Sequence, residues 1–124
     1  MRPVPVDLEG NIIDPGDQPL PRVQAAAFAI HGAVHMAHMD SGAAQCVMHT
    51  HEAYVTALSS LKCGLLPLTQ TALIAGPVAY HPYGPPLSEN ECESMVENMG
   101  DALVLVMENH VRVQFCHPLS ASPF

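Results

Sequence analysis

The sequence predicts an α/β domain, a sheet covered by helices. Three observations carry that reading. Short apolar runs at Cys46–Met48, Val78–His81 and Ala102–Met107 have the length of buried strands. Segments of helical composition lie between them, and glycine or proline marks most of the changes. No Gly-x-Gly-x-x-Gly, phosphate loop, Gly-x-Ser-x-Gly elbow or internal repeat occurs.

Residues 1–22 hold five of the twelve prolines, which disfavours a helix there. Val4–Leu8 reads as an edge strand, where proline gives up a donor that would face solvent. Glu9-Gly10-Asn11 is a turn, Ile12-Ile13 a short second strand, and Asp14-Pro15-Gly16-Asp17 another turn. From Val23 to His38 proline disappears, and the spacing predicts a helix that ends near Gly42. Phe28, His31, His35 and His38 recur at three- and four-residue intervals, so three imidazoles share one helix face. That face is either a metal platform or, as preferred, a face packed beside the sheet whose rings bond to backbone or water.

Glu52–Lys62 has helical spacing at Val55, Leu58 and Leu61, and the helix dipole favours Glu52 at its start. Cys63-Gly64 stops it, Leu65–Leu68 is a buried linker, and Thr69–Ala75 is a short helix. Gly76-Pro77 turns the chain into the strand Val78–His81, and Pro82–Pro86 makes a rigid loop. A helix then runs from Ser88 to Met99, with Ser88 as N-cap and Glu91 closing a capping box. Its glutamates at 89, 91, 93 and 97 read as a solvated face. Gly100 ends it, Ala102–Met107 is a buried strand, and Val111–Phe115 a returning one. Residues 116–124 are expected to form an unstructured tail.

Candidate chemistry centres on Cys46-Val47-Met48-His49-Thr50-His51. His49 and His51 are two residues apart on a strand and so share a side. A first-row or d¹⁰ metal wants three or four such ligands, so the pair is half a site. His110, just beyond the run Ala102–Met107, is the third candidate, placing two strand ends side by side. The plainer reading is that strand-end histidines are hydrogen-bonded surface groups, because His-x-His is far less specific than paired Cys-x-x-Cys.

With 124 residues, of which 48% are hydrophobic, and a mean hydropathy of +0.17, the chain suits one globular domain and not a disordered one. No apolar run reaches the roughly 18 residues needed to cross a bilayer, and the first twenty residues lack a signal-peptide core. The expectation is a soluble, cytoplasmic chain. Net charge is −8, and Arg2, Arg22, Lys62 and Arg112 are the only Lys or Arg residues, which excludes nucleic-acid and direct membrane binding as expectations. Cys46, Cys63, Cys92 and Cys116 lack paired spacing and are expected as free, buried thiols.

Several linked stretches carry a family likeness. They are Val-Asp-Leu-x-Gly-Asn at 6–11, Ala-x-Phe-x-Ile-His at 26–31, Cys46–His51, Lys62–Pro67, Val78–His81 and the Val-Leu-Val-x-x-Asn-His segment ending at His110. Together they resemble the class II aldolase and adducin family, nearest to the adducin head domain. The resemblance implies a three-layer α/β/α fold with a largely antiparallel or mixed sheet, present here as a partial copy over residues 1–115. It implies Zn2+ as cofactor on His49, His51 and His110, acting in the family's enzymes as a Lewis acid on sugar phosphates.

The family's Ser-Ser-Glu run, which contacts substrate phosphate and accepts a proton, falls on Ala25, Ala26 and Ala27, and a methyl group does neither. Its Asn-His-Gly is Asn109-His110-Val111 here. The preferred reading is therefore a non-catalytic, adducin-like head-domain module of the actin–spectrin membrane skeleton. It would form homo- or hetero-oligomers with related head domains and reach actin and spectrin through full-length partners at the inner face of the plasma membrane. The alternative is a zinc-dependent aldolase or epimerase whose acid–base group comes from Glu52, Tyr80, Tyr83 or a neighbouring subunit.

Overall fold

The computed structural model describes residues 3–17, 22–42, 44–84, 90–110 and 112–116, the side chains at 112 and 114–116 excepted. In chain order these form α1 (Ala25–Ala37), β1 (Cys46–Thr50), α2 (Ala53–Ser59), α3 (Gln70–Ile74), β2 (Val78–Pro82), α4 (Glu91–Met99), β3 (Val104–Glu108) and β4 (Arg112–Cys116). The strands make one mixed sheet in the order β1-β4-β3-β2. β4 runs antiparallel to both β1 and β3, while β2 and β3 are parallel and joined through α4.

Strand periodicity sorts the side chains into layers. Leu105, Met107, Val113 and Val47 turn to one face, where Ile30 and Val34 of α1 and Met95 and Met99 of α4 complete the core. Val104 and Val106 turn to the other face and are also buried, on the side where α2 contacts β3 and β4. β3 is thus apolar on both faces, as its uninterrupted run requires.

Helix starts follow the side chains available. Glu52 is the N-cap of α2, its carboxylate accepting from Val55 N at 3.0 Å, and Thr69 caps α3 by accepting from Ala72 N at 3.1 Å. α4 begins later than its sequence signals suggest. Asn90 stands at its N-cap without a side-chain bond, and Glu91 is its first residue. Ser88 and Glu89 lie outside the described residues. The capping box expected with Glu91 therefore also lies outside the described residues, and Glu91 is not part of a solvated face, because its carboxylate is drawn inward to His81 and Gly84.

Other expectations are corrected by packing. The N-terminal hairpin is reduced to one bridge, Val6 to Ile12, and its turn is tied instead by Asp7, whose carboxylate accepts from Asn11 N at 2.7 Å and Glu9 N at 3.1 Å. The buried residues of α1 are Ile30 and Val34, leaving its imidazoles beside the core rather than in it. His35 is bonded to backbone as expected, Nδ1 to Ala44 O at 3.0 Å. Cys46, Cys63 and Cys92 are free, but Cys46 and Cys63 are exposed: β1 is an edge strand with one face to solvent, and Cys63 lies in a surface turn. The linker after Cys63 is also more open than expected, with Leu66 and Leu68 exposed.

That linker is seated on Tyr80, whose hydroxyl accepts from Leu65 N at 2.6 Å. Gly64 has φ +60°, and a Cβ there would strike the Tyr80 ring. Gly64→Ala is therefore expected to cost about 1–3 kcal/mol and lower Tm by several degrees. An unchanged Tm in thermal denaturation would show that the linker does not rest on Tyr80.

Candidate metal centre

The register of β4 builds the site. Thr50 and Val106 both pair with Arg112, so β1 and β3 deliver their C-terminal ends to the same end of the sheet. His49 faces inward opposite Val113, and His51 lies one residue beyond β1. His110 sits in the turn between β3 and β4. Asn109 takes φ 57°, a left-handed conformation that asparagine tolerates. Its N–H donates to Ser59 O at 3.0 Å, and His110 N donates to Met107 O at 3.1 Å, which closes the turn.

Three imidazoles converge as a result. His49 Nε2 and His51 Nε2 are 3.1 Å apart. One ligand nitrogen from each of His49, His51 and His110 lies within 4.8 Å of the others. A tetrahedral Zn2+ would set its nitrogens about 3.3 Å apart. One edge of that polyhedron already has about the required length, and the His110 nitrogen lies within 4.8 Å of the pair. The donor set fits a borderline metal and leaves a fourth position open. One feature departs from a well-supported site: His49 Nδ1 is buried with no hydrogen-bond partner among the described residues. Ligand histidines usually anchor that second nitrogen.

A sequence profile of the class II aldolase and adducin N-terminal domain matches residues 2–113. The chain belongs to the class II aldolase and adducin family. Over 86% of its length it is 40% identical to mouse alpha-adducin and 45% identical to a class 2 aldolase-like protein of Caulobacter vibrioides. The solved structure of an aldolase II superfamily protein from Pseudomonas syringae superposes on 90% of the chain with a TM-score of 0.79 at 37% identity. The chain spans 14%, 40% and 44% of these three proteins respectively.

Electrostatics disfavour the charged forms of His49, His110 and His31. Burial, then the neighbouring imidazoles of His51, His110 and His31, push His49 down to about 4. Burial and His51 lower His110, and burial and His35 lower His31. Among the described residues no carboxylate acts on His49. Ala27 lies one turn before His31 on α1, on the same face, and offers only a methyl group.

The other acid–base candidates separate. Glu52 is held as a helix cap, and Tyr80 is committed to the linker. Tyr83 alone reaches the cluster, its ring stacked on His110 with centroids 4.1 Å apart and planes 29° apart. Val111, where the family has glycine, lies outside the described residues. Sequence reasoning missed His81 and Glu91. His81 is 2% exposed, with Nε2 2.9 Å from Glu91 Oε1. A histidine ending an apolar run could have signalled a buried ring, but nothing local named its partner.

The pH dependence follows in sign. Between about 6.5 and 4 the unfolded chain takes up a proton that folded His49 resists, so the unfolded state binds more protons in this window. The metal-free chain is expected to have its full His49 contribution above pH 6.5 and to lose it as pH falls toward 4. NMR titration of the imidazole signals should place the His49 midpoint near 4; a midpoint at 6.5 would contradict its burial in the cluster.

Proposed function

We propose that this chain is an adducin-like head-domain module that works by association rather than by turnover. It retains a metal site on His49, His51 and His110. The observation that carries the reading is a cluster of three imidazoles in which, among the described residues, no carboxylate acts on His49, beside a helix whose position 27 is alanine. A bound Zn2+ would supply Lewis acidity at the open position. Enolisation also needs a proton acceptor, and neither a methyl group nor the committed Glu52 provides one. The unanchored Nδ1 of His49 points to a metal held for structure, with an affinity below that of a fully supported site.

Association is favoured by the surface. Tyr54, Leu68, Leu73 and Ile74 lie on or beside α2 and α3, each at least 65% exposed. Exposed apolar side chains at this density suit an interface. We assign this face to contact with related head domains, in homo- or hetero-oligomers. Attachment to actin and spectrin at the inner face of the plasma membrane would then come through full-length partners. A net charge of −8 disfavours nucleic acid, and no helix among the described residues is long and apolar enough to cross a membrane.

The second reading, a zinc-dependent aldolase or epimerase acting on sugar phosphates, is favoured by Tyr83. It is the one acid–base candidate that touches the cluster. The two readings part in a retro-aldol assay across several sugar phosphates with added Zn2+. No turnover above the metal-only rate is expected, and clear turnover abolished by Tyr83→Phe would establish the enzyme instead. Metal analysis should give about one Zn2+ per chain, falling sharply in His49→Ala; equal retention by the variant would remove His49 from the ligand set. Sedimentation should show self-association that weakens in a Leu73→Glu, Ile74→Glu double variant. A wild type that stays monomeric with and without related head domains would overturn the interface.

A further inference from the structure

We propose that Tyr83 is a positioning residue for His110, held in place by a buried hook made of His81 and Glu91. The proposal rests on the metal reading above and concerns how the third ligand is oriented. The His110 backbone is fixed by its turn, but neither ring nitrogen of His110 has a hydrogen bond among the described residues. Ligand imidazoles are ordinarily oriented by a carboxylate or carbonyl on the far nitrogen. Here the stacked Tyr83 ring takes that role. An aromatic face is suited to it, because coordination draws electron density from the imidazole and makes its ring more cation-like.

Tyr83 is 46% exposed and follows the end of β2, so its own environment does not fix it. The residues on either side do. Glu91 Oε1 accepts from His81 Nε2 at 2.9 Å and from Gly84 N at 3.0 Å, so one oxygen ties the chain both before and after Tyr83. Asn98 Nδ2 donates to His81 Nδ1 at 2.8 Å. This arrangement leaves Nε2 as the protonated nitrogen that donates to Glu91, and every group in the hook is satisfied. Glu91 and Asn98 are seven residues apart on α4 and so share a face. The approach at Gly84 is close, since a Cβ there would lie 2.7 Å from the Glu91 carboxylate oxygens and displace them. The hook thus links α4 to the metal site without any of its members being a ligand.

The test uses the full chain and two measurements. In the metal-free protein, NMR reads the ring-current shift of the His110 ring protons. In a Co2+ titration, absorption reads metal affinity. Tyr83→Leu should abolish the shift and raise the Co2+ Kd about 3- to 10-fold, while Tyr83→Phe should preserve both. Glu91→Ala, remote from the metal, should reduce the shift and weaken Co2+ in parallel. Glu91→Gln, whose amide oxygen still accepts from both donors, should restore them. If Glu91→Ala does not fold, Asn98→Ala should produce the same changes in smaller degree. A hook that only stabilises the fold would lower Tm and leave the His110 shift and the Co2+ Kd unchanged, which would overturn the proposal. Failure of the wild type to bind Co2+ would remove the metal reading, whereas an unaltered His110 shift in Tyr83→Leu would remove the positioning role alone.

Discussion

The antiparallel seating of β4 between β1 and β3 is the constraint on which the rest depends. Because β4 runs against both neighbours, their last residues arrive together at its first. His49 and His51 come from one neighbour and His110 from the turn that leaves the other. A slip of one residue in either pairing would reverse the faces of the slipped strand. The apolar layer of Val47, Leu105, Met107 and Val113 against α1 and α4 resists that slip, since it would carry buried side chains into solvent. Core packing and site geometry are thus set by the same register.

The histidines show how burial divides one residue type into two roles. His81 is buried with both nitrogens bonded, a satisfied group that joins β2 to α4 and to the loop beyond it. His49 is part-buried among other imidazoles, with Nδ1 unpartnered among the described residues and its proton affinity depressed. A neutral, incompletely bonded imidazole facing two others is suited to a cation. A fully bonded one is suited to hold a loop. The difference lies in surrounding contacts, as both follow a short apolar run in the sequence.

Family membership and chemistry also come apart here. The fold is that of a class II aldolase and adducin domain, and three histidines meet at the positions where the resemblance places the family's ligands. The acid–base partner is another matter, because α1 brings methyl groups to the positions where the resemblance places serine and glutamate. Nearby carboxylates are engaged elsewhere, Glu52 in capping α2 and Glu91 in holding the loop after β2. Around α2 and α3 the chain also leaves Tyr54, Leu68, Leu73 and Ile74 exposed, the side chains on which the proposed association rests.

Much of this was legible in one dimension. Periodicity placed most helices and strands within a few residues, since the spacing of apolar side chains and the position of glycine are local properties. The shared face of His49 and His51 followed from strand parity alone, and the place of His110 just beyond the apolar run Ala102–Met107 made it the third candidate. Packing decided the rest. Glu91 reads as part of a solvated face until the fold brings His81 and Gly84 to it, and Cys46 reads as buried until β1 proves to be an edge. Tyr83 has no reason to meet His110 except through the sheet that places their loops together. Alternation and capping act over three or four residues, whereas these contacts join residues seven or more apart, and only the assembled sheet sets their distances.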